Sequence, residues 1–200
     1  LSILKERASV PDALIARSAL RAHVAPEATP SGAVRATLTE RKDLALFSVA
    51  ALKGREEELA AAMRERFGLE LPTGPSRVVS GDVAAIGAGP GKWLLVSTDA
   101  SLDLTDLPAA VVDQSDGRTV LALSGETARE ILSTLVQIDL HPRAFGPGSA
   151  AATHAASLAV HLWQADDAPT YEIVVFRSYA ATLWRWIVHA GAARGLSAAL

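Results

Sequence analysis

Cysteine is absent from all 200 residues. Its absence removes disulfide staples, thiol nucleophiles, iron–sulfur clusters and thiolate zinc sites together. An excess of either charge is also missing. Lysine and arginine number 19 against 22 acids, a net charge of −3, which argues against a nucleic-acid binder that works by neutralising phosphates. No run approaches 18 apolar residues, so no helix is expected to span a membrane. The opening Leu1-Ser2-Ile3-Leu4-Lys5-Glu6-Arg7 mixes acid with base and lacks the apolar stretch of a signal peptide. It also lacks an initiator methionine, so the numbering is expected to begin inside a gene product. A cytoplasmic location is the expectation.

What is present describes a folded chain. Half the residues are hydrophobic and 20% are charged, a composition that excludes disordered and collagen-like classes. The length suits one large domain or two packed small ones. The 14 glycines and 10 prolines punctuate an α+β chain, not a helical bundle.

Residues 1–33 read as an arm, with a short helix opened by Ser9-Val10-Pro11-Asp12 and reaching Leu20. Pro26, Pro30, Ser31 and Gly32 break the pattern after it, and the arm is expected to lie on something else. Residues 34–109 and 110–200 then form two lobes. In the first, strands are expected from Val34 and over 43–50. A helix follows over 54–67 with Leu59, Met63 and Phe67 on one face, and Glu56, Glu57 and Glu58 suit its positive end. Gly68 ends it, and strands near 76–80, 82–87 and 93–97 complete the lobe.

The second lobe repeats this order. Strands over 110–115 and 118–123 flank Asp116-Gly117, a favoured hairpin pair, and Ser124 caps a helix over 125–135. Strands near 153–157, 158–164 and 170–176 precede a helix capped by Ser178 and running to Ala190, with Leu183, Trp186, Ile187 and Ala190 on one side. A strand–strand–helix–break–three-strand order occurring twice implies related α+β units sharing a core. The expected fold is therefore α+β: two tightly packed lobes of mainly antiparallel sheet with helices.

Few residues suggest chemistry. The loop Gly87-Ala88-Gly89-Pro90-Gly91-Lys92-Trp93 has Ile86 and Trp93 where a phosphate-binding loop needs glycine and a hydroxyl, and a strand follows it where a helix is required; a hairpin is expected. The histidines at 23, 141, 154, 161 and 189 include no i, i+4 pair for a metal. Gly-x-Ser-x-Gly does not occur. The acid pairs Asp103/Asp106 and Asp166/Asp167 lie in turn-like segments. Neither a catalytic residue nor a metal ligand is assigned. The loop from Leu140 to Gly148 carries His141, Arg143 and Phe145, which either grip a partner or an anion or serve only to anchor the loop. Trp184 and Trp186 lie two apart and do not share a helix face. With Trp186 inward, Trp184 and Arg185 turn outward, and such residues suit a partner interface.

Three blocks carry a resemblance: Val111 to Gly125, Ile138 to Phe145, and Tyr171 to Ala180. In their order and content they resemble the gamma subunit of heterotetrameric sarcosine oxidase, over about 35–190 and most strongly after 110. The strand-turn-strand, Ser-Gly and helix unit is also similar to the folate-binding domain of the glycine-cleavage aminomethyltransferase. The resemblance implies a two-lobed α+β fold of that kind. It further implies a complex that demethylates sarcosine oxidatively to glycine, passing the one-carbon unit to tetrahydrofolate or releasing formaldehyde. In such a complex FAD, FMN, NAD and the folate site belong to the alpha and beta subunits and zinc to the delta subunit. The gamma chain binds no cofactor of its own, and its partners are alpha, beta and delta.

The leading expectation is thus a non-catalytic accessory subunit with a partner interface drawn from 1–33, the 141–148 loop and the last helix. The alternative is a free-standing folate-binding or one-carbon-transfer protein, for which Asp113 and Arg118 are the nearest candidates. A related demethylase subunit is a third.

Overall fold

The computed structural model describes residues 17–21, 27–30, 32–42 and 44–200. After the two-residue β1 (Glu27–Ala28), the first repeat comprises β2 (Ala36–Arg41), β3 (Ala45–Ala51), α1 (Glu56–Phe67), β4 (Arg77–Ser80), β5 (Val83–Gly89) and β6 (Lys92–Ser97). The second comprises β7 (Ala109–Asp113), β8 (Arg118–Ser124), α2 (Ala128–Ser133), β9 (Ala150–Ala155), β10 (Leu158–Asp166) and β11 (Thr170–Phe176). A 3-10 turn (Arg177–Tyr179), α3 (Ala180–Gly191) and β12 (Leu196–Ala199) follow. Alternation makes the strands. In β2, Ala36 and Leu38 are buried while Thr37 and Thr39 face out, the period-2 pattern of a half-buried strand.

The repeat is real, but its halves exchange strands. One sheet runs β4-β5-β6-β3-β7 and the other β9-β10-β11-β8-β2, extended by β12 and β1. The first strand of each repeat therefore completes the sheet of the other: Val49 of β3 faces Val111 of β7, and Leu123 of β8 faces Leu38 of β2. A cut between 109 and 110 does not separate the two sheets. The pairings are antiparallel except for β12 on β2.

The layers follow from which face each residue takes. Leu59 and Met63 of α1 pack with Val83, Ala85, Trp93 and Leu95 on the outer face of the five-stranded sheet. Leu46, Ile86, Leu94 and Val96 cross to Val120, Trp163 and Val174 between the sheets. Ile131 of α2 and Leu183 and Ile187 of α3 cover the remaining face, with Leu121, Leu123 and Ile173. Each such fully buried aliphatic contributes about 1.5–3 kcal/mol over exposure.

Several expectations are corrected. Asp116-Gly117 does not close a hairpin, because β7 pairs with β3 and β8 with β2 and β11; the turn passes the chain from one sheet to the other. Ser124 is no helix cap. It is the last residue of β8, and its hydroxyl bonds Thr37 at 2.8 Å. Gly125 then turns at φ +109, where a Cβ would lie 2.6 Å from the Arg35 carbonyl oxygen, and α2 starts only at Ala128. It stops at Ser133, whose hydroxyl takes the Glu130 carbonyl at 2.8 Å as Thr134 takes that of Ile131 at 2.7 Å, a side-chain competition that weakens helices. Ser178 likewise caps nothing; it lies inside the 3-10 turn, and Tyr179 holds the cap position of α3.

On α3 the buried residues are Ala180, Leu183, Trp184, Ile187 and Gly191, at the i, i+3, i+4, i+7 spacing of one face. Trp184 is therefore inside at 2% exposure, and Trp186 packs only partly against the same core. The arm helix expected from Ser9 to Leu20 lies outside the described residues except for 17–20, which are not helical. Leu20 is buried in the core of the seven-stranded sheet and β1 pairs with β12, so these parts of the arm pack on their own chain.

Candidate functional site

The glycine-rich segment after Ile86 is the β5–β6 hairpin, with a bulge between Gly87 and Gly89. A Cβ at Gly87 would meet the Gly74 carbonyl oxygen at 2.0 Å, so glycine is there for close backbone approach. Among the described residues no group of three or more His, Asp or Glu is placed to hold a metal ion.

The 141–148 loop braces itself. Asp139 accepts the His141 backbone N–H at 2.8 Å, and the His141 Nδ1 accepts that of Arg143 at 3.2 Å. Phe145 turns inward, 6% exposed, and stacks on Tyr171 with centroids 6.5 Å apart. The Tyr171 hydroxyl accepts from the Arg129 Nε at 3.0 Å, while burial raises the phenol pKa against that cation. Of the loop candidates, Phe145 is thus core, and His141 and Arg143 are exposed. On α3, Arg185 is exposed and Trp184 is not. Asp113 and Arg118 are not brought together as a pair. Asp113, at the end of β7, accepts from the Ser115 backbone and hydroxyl at 2.8 and 2.6 Å, an Asx turn. Arg118 starts β8 in the other sheet.

Arg118 instead belongs to a constellation that spacing does not reveal. A cavity of about 810 Å³ opens beside the end of β2 and the start of β8. Arg17, Arg41, Lys42, Arg118 and Arg177 line it, against the acids Glu40 and Asp116. Register explains two of them: Arg118 lies opposite Phe176 across β8 and β11, with its guanidinium carbon 3.9 Å from the ring centroid. Among the described residues its buried Nε has no hydrogen-bond partner, and burial pulls its pKa down. Arg177 follows Phe176 directly and donates to the Arg17 carbonyl.

Behind Arg41 is a buried carboxylate. Glu172 is 5% exposed; it accepts from Arg41 on one oxygen and from the Trp163 indole at 2.7 Å on the other. Arg77 is pulled down in pKa by burial, an effect that Glu172 opposes and Arg41 adds to. His161, between the sheets, is pushed down by burial first and by the charge of Arg118 second. The cations of the cavity are spread from position 17 to 177 in the chain. Strand register brings Arg41 and Arg118 there, the segments flanking the strands bring the others, and no sequence motif signals it.

The family model described as "Sarcosine oxidase, gamma subunit family" matches residues 53–193. The sarcosine oxidase subunit gamma of Corynebacterium sp. (strain P-1) is 34% identical over 140 residues, 65% of this chain and 68% of that one. The Arthrobacter sp. subunit gamma is 31% identical over 151 residues, 71% of this chain and 73% of that one. Among solved structures, a chain of the heterotetrameric sarcosine oxidase from Corynebacterium sp. U-96, in complex with pyrrole 2-carboxylate, aligns with TM-score 0.73 and 28% identity, covering 84% of this chain and 89% of that one. Aminomethyltransferase T of the glycine cleavage system from Bartonella henselae aligns with TM-score 0.60 and 16% identity, over 84% of this chain and 48% of that one. At that identity the likeness is one of fold.

Proposed function

The chain belongs to the sarcosine oxidase gamma subunit family, and from that premise we propose how it serves its complex. It is an accessory subunit of a heterotetrameric sarcosine oxidase, an enzyme that demethylates sarcosine oxidatively to glycine. The observation that carries this is the alignment with a chain of the Corynebacterium oxidase, which covers most of both chains and not one shared motif.

Its partners are then the alpha, beta and delta subunits. FAD, FMN, NAD, tetrahydrofolate and zinc are held by those subunits, and this chain supplies scaffold, not chemistry. The exposed His141, Arg143 and Arg185 are placed at the interface. Phe145 and Trp184 support them from the core, because their side chains are already covered. The folate-binding alternative draws no support from Asp113 and Arg118, which stand on different sheets. A cytoplasmic setting fits the oxidase; no described helix is long and apolar enough to cross a membrane.

The test is co-expression of the tagged chain with the other three subunits from the same genome. A yellow complex that releases peroxide when given sarcosine is the expected result, with a lower yield of complex when this chain is omitted. A chain that elutes alone and colourless beside an intact three-subunit oxidase would refute the assignment. Within the complex, Arg143→Ala is expected to weaken retention several-fold; undiminished retention removes the loop from the interface.

A further inference from the structure

The cation-lined cavity is separate from the loop and helix positions assigned above. Among the described residues five cations meet two carboxylates there, and the contacts these residues make do not balance them. Arg41 is committed to Glu172. Glu40 accepts the Ser18 hydroxyl. Arg177 spends one N–H on a neutral carbonyl. Among the described residues, Arg118 packs on the face of Phe176 and its buried Nε has no acceptor. Clustered like charges repel one another, the more so where solvent is partly excluded. An anion entering the cavity relieves that repulsion.

Two exposed rings close to Arg177 in the chain add a second property. Phe176 is 42% exposed and Tyr179, on the same 3-10 turn as Arg177, is 49% exposed. A free oxyanion would leave both rings wet. A polypeptide segment covers them while its carboxylates enter among the cations. Arginine and aromatic side chains are also the types that dominate interface energetics. We propose that this cavity and the exposed rings of Phe176 and Tyr179, on either side of Arg177 in the chain, receive an acidic segment of another subunit of the oxidase. The inference rests on the accessory-subunit reading and gives that subunit a second contact, on a surface distinct from the 141–148 loop.

The experiment uses the full chain and the oxidase complex lacking it. The wild-type chain, Lys42→Glu/Arg177→Glu and Phe176→Ser are each titrated into that complex at low and high salt. Positions 42, 176 and 177 are all exposed, and circular dichroism checks that each variant folds. The charge-reversed variant is expected to bind about tenfold or more weakly and to lose most of the wild type's salt dependence. Phe176→Ser is expected to weaken binding while keeping the salt dependence. Affinities within about twofold of wild type for both variants would overturn the proposal. So would saturable binding of inorganic pyrophosphate to the isolated chain combined with unchanged subunit affinity, since the cavity would then be a small-anion site. A wild-type chain that never enters the complex refutes the accessory-subunit reading itself, and this inference with it.

Discussion

Glu172 and His161 show how much of the packing between the sheets depends on single polar groups. Both carboxylate oxygens of Glu172 are taken, one by Arg41 and one by the Trp163 indole. Glu172→Ala leaves a buried indole N–H without an acceptor and Arg41 without its counter-charge. Because Arg41 is itself 42% exposed, solvent screens part of the loss, and a cost of about 2–3 kcal/mol is expected. Urea denaturation measures it; a change below about 0.5 kcal/mol would mean the pair contributes nothing net. His161 works through pH. Burial and the charge of Arg118 hold its folded pKa below the ordinary imidazole value. The unfolded chain takes up a proton near pH ~6.5 that the folded chain refuses. Stability is therefore full above that pH and falls as the pH drops toward the lower folded value. Thermal melts of His161→Gln are expected to show a flatter slope than wild type between about pH 5 and 7; parallel slopes would assign the acid sensitivity elsewhere.

Helix α1 was the most legible element, because its apolar stripe and acidic first turn agree with each other and with Gly68 behind them. Strands β5, β6, β10 and β11 were legible for a similar reason: apolar residues run through them between turn residues. Helix α3 was read in part: Leu183 and Ile187 are buried as expected, but Trp184 joins them inside while Trp186 and Ala190 are only partly covered. Two tryptophans two residues apart compete for one face, and the winner is set by Ala180 and Gly191, whose small size lets the helix seat but adds little to a hydrophobic pattern. Trp184→Ala is accordingly expected to cost about 3–5 kcal/mol and Trp186→Ala distinctly less. Comparable losses would contradict the assigned face. Strand β12 escaped notice because Leu196–Ala199 is short and alanine-rich; its place is fixed by parallel pairing with β2. The cavity was illegible for a related reason. Its arginines look like ordinary surface charges until register places Arg118 opposite Phe176.

For the molecule as a whole, the twofold repetition of elements was readable and the exchange of β2 and β7 was not. Local sequence sets what a segment becomes, whereas the sheet it joins depends on partners far along the chain. The two segments 34–109 and 110–200 are therefore expected to be unfolded when expressed apart and to regain ordered structure when mixed, as circular dichroism would report. Independent folding of either half would show that its missing strand is dispensable.

The same exchange has a consequence during synthesis. As β2 leaves the ribosome, its neighbours β8 and β12 are not yet made, and the five-stranded sheet waits likewise for β7. The half-apolar β2 waits for β8, and its other edge stays open to a wrong partner until residues 196–199 of β12 are made. Distant pairings of this kind close slowly and expose intermediates to aggregation. Completion of the seven-stranded sheet is therefore expected to wait until β12 has been made, and a chaperone that shields β2 is expected to raise the folded yield.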